Sequence, residues 1–368
     1  MSRILMVTGV VAGGVGRHVE QLTRSLAELG HSLVVAAPAV VAARFCLAEA
    51  GAEVVPIEVG SRPLPHRDRH TVATLREIMP DVDVVHAHGV RAGALSVLAR
   101  DDGSTPLVVT THNNAPEGRL AAVVHWNLDR VVCRGADLVL GVSQDLIETA
   151  RDRGARDVAP AIVPAVRAEA TRDQDAVRRD LGLVGDTLLV VAVGRLAPQK
   201  GFDRLLDALD AAGTTAQDAQ VVIAGEGPQA QALQRRIDRS GLPVRLLGHR
   251  TDVPDLLAAA DVAVSAARWE GQPVWLQEAL SVGAPVVATD VGGTGEVLDG
   301  AGLLVPGDDL EALGAALTAV LADDILRADL RERALARAAD LPTPEDAAQA
   351  ALAAYRRASS GAASRDVD

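Results

Sequence analysis

A chain of 368 residues exceeds one ordinary hydrophobic core and fits two domains of roughly 170 to 190 residues. Hydrophobic residues make up 48% but aromatic ones only 2%, so the cores must be built from Ala, Val and Leu, as in buried parallel strands and their covering helices. A net charge of −13 argues against broad contact with nucleic acid or anionic lipid, and it is uneven: −2 over residues 1–165 and −11 over 166–368.

In chain order, short Val/Ile/Leu runs predict strands at Ile4–Gly9, Ser32–Ala37, Glu53–Ile57, Val82–His86, Leu107–Thr111 and Leu138–Gly141, with amphipathic helices between them. A polar stretch, Arg167–Asp186, interrupts the alternation. The pattern resumes with strands at Leu188–Val193, Val221–Ala224, Val244–Leu247, Val262–Ser265 and Val286–Thr289. From Leu310 the chain is Ala-rich and helical, Pro342 breaks it, and Ser359–Asp368 is too polar to be expected to pack. The expected domains are residues 1–170 and 171–345, followed by a helix and mobile tail over 346–368. The fold class is α/β, with two doubly wound parallel sheets. Such sheets bind ligands beyond the carboxyl ends of their strands, so functional residues should follow strands.

No apolar run reaches the roughly 18 to 20 residues that span a bilayer, and Ile4–Val11 is too short for a signal peptide. A cytoplasmic location is expected, with peripheral contact to the inner membrane face left open. Cys46 and Cys133 lack CxxC spacing and read as buried thiols.

Three loops after strands carry the chemistry. Gly9-Val-Val-Ala-Gly-Gly-Val-Gly16 joins the first strand to the first helix and bares backbone N–H groups to an anion. With Val19 in place of a third glycine, and no Gly-Lys-Ser/Thr, it is neither a dinucleotide fingerprint nor a P-loop. Gly194-Arg-Leu-Ala-Pro-Gln-Lys-Gly201 sets Arg195 and Lys200 ahead of a helix, where a diphosphate could sit. Lys200 is the only lysine of the chain, which points to a need for a compact ammonium. Arg268-Trp-Glu-Gly-Gln-Pro-Val-Trp-Leu-Gln-Glu278 opens a helix at Pro273, leaving Glu270 in the loop and Glu278 in the helix. The two carboxylates can then meet different hydroxyls of an extended ligand.

With the following Ala-Leu-Ser-Val-Gly-Ala-Pro-Val-Val-Ala-Thr-Asp290, these loops resemble glycosyltransferase family 4, retaining enzymes of GT-B fold, over nearly the whole chain. Val85-His-Ala-His88, Thr110-Thr-His112, Val142-Ser143 and Leu247-Gly-His-Arg-Thr-Asp252 add to the resemblance in order. It implies two Rossmann-like domains facing a cleft, with the acceptor on the first and a nucleotide-sugar donor, UDP- or GDP-linked, on the second. It implies that Arg195 and Lys200 neutralise the diphosphate, that Glu278 holds the ribose, and that Glu270 holds the transferred sugar. His112 would face the reacting carbon. Gly13, Gly14, Gly194, His249, Arg250, Gly271, Gln272, Pro273 and Val274 complete the expected donor set. No protein nucleophile and no metal cofactor are expected. Many family members have Phe-Gly where this chain has Gln272-Pro273, and Pro273 removes an N–H that could meet the donor sugar, which leaves the sugar open. The rival readings are a sugar-nucleotide epimerase or hydrolase and a non-catalytic sugar-nucleotide binder.

Other candidates read as structural. Asp81-Val-Asp83 precedes a strand rather than following one and is expected to be a solvated turn. His86 and His88 alternate on a strand, with no third ligand evident to complete a metal site. Arg62, His66, Arg67, Arg69 and His70 form an expected basic loop opposed only by Asp68. The acceptor-side loops Ser61–His70 and Asn113–Arg119 carry no decodable pattern, and the acceptor and the oligomeric state stay open.

Overall fold

The computed structural model describes residues 1–11, 13–60, 62–101, 105–112, 119–212 and 219–363. The chain divides into two compact units, Met1–Pro164 with Pro342–Asp368, and Ala165–Leu341.

The first unit holds β1 (Arg3–Thr8), β2 (Ser32–Ala37), β3 (Ala52–Pro56), β4 (Val84–His88), β5 (Leu107–Thr111), β6 (Leu138–Gly141) and β7 (Val158–Pro160). They form one sheet in the order β3-β2-β1-β4-β5-β6-β7. Every pairing is parallel; Ile4, for example, sits between Leu33 and Val84. Helices join the strands and bury both faces, which is why the strands read as continuous apolar runs rather than as alternating ones.

The second unit repeats the plan with β8 (Leu188–Val193), β9 (Ala219–Ala224), β10 (Val244–Gly248), β11 (Val262–Ser265), β12 (Val286–Asp290) and β13 (Leu303–Pro306). Its order is β10-β9-β8-β11-β12-β13, again all parallel. Two apolar clusters, one around Leu205 and Ile223 and one around Leu256 and Leu276, flank this sheet.

Two strands escape the sequence pattern, β7 and β13. Each is short, lies at a sheet edge and ends in proline, the residue that tolerates an edge because it donates nothing to the ladder. The expected fourth strand is displaced by two residues, so that His88, rather than His86, ends β4.

The C-terminal segment is the main correction to the expected domains. Pro344–Ala363 forms one helix, and it belongs to the first unit rather than to a separate tail. Ala347, Ala348, Ala351, Ala354, Tyr355 and Ala358 recur at helical spacing and are buried, and all but Ala347 join Ile4, Met6 and Val19 in one apolar cluster. Small residues let the helix approach the sheet, and Ser359–Ala363 continues the helix. The rest of the expected mobile tail, residues 364–368, lies outside the described residues.

Tyr355 fixes this helix from below. Its hydroxyl meets His86 Nδ1 at 2.8 Å, while His86 Nε2 meets Thr110 Oγ1 at 2.7 Å. Both ring nitrogens of a fully buried histidine are thereby satisfied. Tyr355→Phe strands one of them and should lower unfolding free energy by about 1 to 3 kcal/mol, measured by urea titration. An unchanged midpoint would remove this contact from the account of helix docking.

Candidate active site

In a doubly wound sheet the chain turns outward in both directions from the point where strand order reverses, which leaves a crevice at the carboxyl ends of two adjacent strands. Here those points lie between β1 and β4 and between β8 and β11. The loops singled out in the sequence emerge there.

In the second unit, the loop after β8 and the loop after β11 are tied into one body. Arg268 N donates to Gln199 O at 2.8 Å, Gln199 Nε2 to Trp269 O at 2.9 Å, and Arg268 Nη1 to Pro198 O at 2.7 Å. Arg268 also clasps Asp203 through two bonds of 2.9 and 2.7 Å, which hold the Asp203 carboxyl below the usual carboxylate range. Across this frame Lys200 Nζ pairs with Glu270 Oε1. Glu270 is only 5% exposed, so the pair supplies the partner that a buried carboxylate requires. A third loop locks it from behind: Gly293 N donates to the carbonyls of Glu270 and Gly271. Gly292 (φ 52°) comes so close that a Cβ there would lie 1.7 Å from Glu270 O, and only glycine fits.

Arg195 differs from Lys200. It is exposed, and among the described residues its side chain has no ion-pair partner. Gly194 (φ 155°) begins this loop and packs beside the Lys200 stem. Gly271 and Pro273 are buried, Gln272 and Val274 half-buried, and the helix Val274–Ser281 starts just after Pro273, with Glu278 in its second turn. Gln272 Oε1 and Trp275 Nε1 are buried polar atoms with no partner among the described residues. His249 is exposed after β10, and Arg250 beside it is committed to Asp252 through bonds of 2.8 and 2.5 Å. That contact depresses the Asp252 carboxyl and leaves Arg250 less free for a ligand than the sequence suggested.

In the first unit, Gly13 and Gly14 are not loop residues: the helix Gly13–Glu28 begins with them. Gly16 serves packing, since a Cβ there would lie 2.1 Å from the Phe45 ring. Four histidines stand around this reversal point, His18 on that helix and His86, His88 and His112 on the β4 and β5 side. His88 ends β4, Gly89 (φ 88°) turns the chain away, and His112 follows β5. His88 Nδ1 and His112 Nε2 are 3.2 Å apart, and His18 lies edge-on to both rings at 5.5 Å between centroids. All are buried, at 4% exposure for His18, 1% for His88 and 7% for His112. Burial lowers His18 to about 4 and, with the nearby His18, His86 to about 3. Burial and neighbouring imidazoles hold His88 and His112 well below the ordinary value. The cluster is therefore neutral at pH 7.

His18 escaped the sequence reading, which found no third histidine to join His86 and His88. The signal was present: His18 precedes Leu22 by one helical turn and Leu26 by two, on the buried stripe of its helix. Other expectations also change. Cys46 is exposed, in a turn with φ 48°, and only Cys133 is buried. The expected basic loop is largely the start of the helix Pro65–Ile78, where Asp68 pairs with Arg91 at 2.7 Å and Arg67 with Glu58 at 3.2 Å. Asn113–Gly118 lies outside the described residues. Asp83 caps the N-terminus of β1 through Arg3 N at 2.8 Å, a structural task.

Two predictions follow from these electrostatics. Lys200→Met abandons a buried carboxylate and should cost about 3 to 5 kcal/mol, whereas adding Glu270→Gln should recover part of that loss. Urea unfolding of the two single variants and the double variant measures the coupling, and strictly additive losses would deny it. The histidines bind protons more readily unfolded than folded, so their contribution is complete above about pH 6.5 and is lost as pH falls toward 4. Each neutral imidazole costs about 1.4 kcal/mol per pH unit in that window. His18→Asn should flatten the fall of melting temperature between pH 7 and 5 relative to the parent; an unchanged slope would argue that His18 is already protonated.

Residues 13–165 match the family described as Glycosyl transferase 4-like domain, and residues 187–323 match Glycosyl transferases group 1. The chain is 31% identical over 343 residues to the phosphatidyl-myo-inositol mannosyltransferase of Mycolicibacterium smegmatis, covering 89% of this chain and 86% of that protein. It is 34% identical over 194 residues to the lipopolysaccharide core biosynthesis mannosyltransferase LpsB of Rhizobium meliloti, a match of 50% of this chain that spans about half, 55%, of that protein. Among solved structures, Anabaena HepE in complex with UDP and glucose superposes with a TM-score of 0.81 at 22% identity, over 96% of this chain and 99% of that one. No helix among the described residues is long and apolar enough to cross a membrane. With two all-parallel Rossmann-like units and both family matches, the chain belongs to glycosyltransferase family 4 and is a glycosyltransferase of GT-B fold.

Proposed function

We propose that the protein transfers a sugar from a UDP- or GDP-sugar to an acceptor hydroxyl with retention of anomeric configuration. The observation that carries this reading is the Lys200–Glu270 pair, fixed at the strand-order reversal of the second unit with Arg195 beside it. Arg195 and Lys200 meet the diphosphate, Glu278 the ribose hydroxyls and Glu270 the sugar hydroxyls. Because Lys200 engages only Oε1 of Glu270, Oε2 remains to accept from a sugar hydroxyl. The pair is neutral overall, so the net positive charge offered to the diphosphate comes from Arg195.

In the transfer, the bond from the anomeric carbon to the phosphate oxygen breaks as the acceptor oxygen bonds to the same face. The acceptor proton passes to the departing diphosphate, so no protein nucleophile takes part. Stabilising the charge that develops on that diphosphate is the main catalytic contribution. His112 of the first unit is the imidazole assigned to the reacting centre; being neutral, it can hydrogen-bond the sugar without adding charge. No metal is required. The relatives' names support a mannosyl donor, and the UDP in HepE supports a uridine one; the base is left to experiment.

Arg195 is the cleanest probe, because its exposed side chain carries no part of the frame. Arg195→Ala should leave the melting temperature unchanged and lower kcat/KM by about 100-fold. The assay is release of UDP or GDP from a panel of nucleotide sugars, in EDTA, with and without a glycan or lipid acceptor pool. Full-rate release without acceptor would favour a hydrolase or an epimerase with leakage, and no binding of any nucleotide sugar would favour loss of the donor site.

A further inference from the structure

We propose that His18, His88 and His112 form a binding site for a divalent transition metal of the zinc class, with three imidazole nitrogens as ligands and a fourth position for an anion or water. The three residues come from separate elements: the helix Gly13–Glu28, the last residue of β4 and the residue after β5. One ring nitrogen from each lies within 4.8 Å of the other two, and all three side chains are more than nine-tenths buried.

The spacing of the closest pair is informative. Zinc–nitrogen bonds of about 2.0 to 2.1 Å in a tetrahedral site set adjacent ligand nitrogens about 3.3 Å apart. His88 Nδ1 and His112 Nε2 already stand at 3.2 Å. In the neutral rings this contact is an N–H···N hydrogen bond, and a metal replaces it once the shared proton moves to the other nitrogen of its ring. His18 Nδ1 is a buried polar atom without a partner, as expected of a nitrogen that has a ligand to meet. His86 is excluded as a ligand because Tyr355 and Thr110 occupy both its nitrogens; its ring lies tilted against His88 at 4.2 Å between centroids.

The donor chemistry selects the ion. Three imidazoles without a carboxylate among them suit Zn²⁺, Co²⁺, Ni²⁺ or Cu²⁺ and disfavour Mg²⁺ and Ca²⁺, which take oxygen ligands. With His88 binding through Nδ1, its Nε2 stays buried without an outer partner among the described residues. Such missing outer support typically weakens a site by about 10- to 100-fold, which points to an exchangeable metal rather than a permanent structural one. One consequence rests on the function proposed above: a metal on His112 removes that imidazole from the sugar, so zinc suppresses transfer while chelator leaves it intact.

The test uses the full chain after chelator treatment. Titration with Co²⁺ should produce the visible ligand-field bands of a tetrahedral site, saturating near one equivalent, bleached by Zn²⁺ and untouched by Mg²⁺. His18→Ala, with its fold verified by circular dichroism, should weaken Co²⁺ binding by at least 10-fold. No bands with excess Co²⁺ in the parent protein would overturn the site, and so would equal affinity in the folded His18→Ala variant; the parent titration decides alone should that variant not fold. These readouts need neither donor nor turnover. In a separate arm, nucleotide release should fall with Zn²⁺ at the concentration that displaces Co²⁺. Full turnover at saturating metal would overturn the suppression and leave the metal site standing, whereas release absent with every donor sugar would count against the function alone.

Discussion

Strand order is the constraint on which the rest depends. In both units the sheet is wholly parallel and its order reverses beside the first strand of the unit, between β1 and β4 and between β8 and β11. Parallel strands require crossover helices on both faces, which forces an apolar interior without polar handles. Chemistry is left only the loops at the carboxyl ends, and the widest opening among them is at the reversal. The Lys200–Glu270 pair at one reversal and the histidine cluster at the other are both answers to that restriction.

A buried carboxylate is stable only with a partner, and a loop cation is precise only when something holds it. The Lys200–Glu270 pair meets both needs at once, which explains why a chain with 36 basic residues uses its single lysine there. An ammonium makes one compact contact and still offers other protons to a ligand, whereas a guanidinium fork would engage both carboxylate oxygens. Arg268 makes just that forked contact with Asp203, outside the pair, where rigidity of the frame is the need. Both cations follow strands, and the shape of the head group separates the two tasks.

Much of this was legible in the sequence because the relevant signals are local. Apolar runs bounded by polar turns gave the central strands of both sheets, and the loops after β8 and β11 were identifiable from cations and carboxylates at strand ends. What escaped depends on contacts remote in sequence. Edge strands β7 and β13 are short and carry proline, so they lack a run long enough to read. The docking of Pro344–Ala363 on the first unit places Ala351, Ala354 and Tyr355 in one apolar cluster with Ile4 and Met6, and no local pattern says which sheet an alanine face will choose. Gly292 carries no sign of its closeness to Glu270, and Cys46 looked apolar but sits in a turn after the helix Ala39–Arg44.

The two reversal points also show how one architecture produces opposite electrostatics. At the second, the buried Glu270 carboxylate meets the Lys200 side chain, and backbone bonds hold the two loops that carry them. At the first, burial without paired acids drives the imidazoles to neutrality, so their nitrogens act as lone pairs and hydrogen-bond donors rather than as cations. The difference arises from which residues accompany the titratable group: a carboxylate beside Lys200, and, as hydrogen-bond partners of His86 and His88 among the described residues, another imidazole, a threonine and a tyrosine. Replacing Thr110 or Tyr355 by a carboxylate would be enough to change the protonation of that cluster, and with it the hydrogen bonds that His112 can offer.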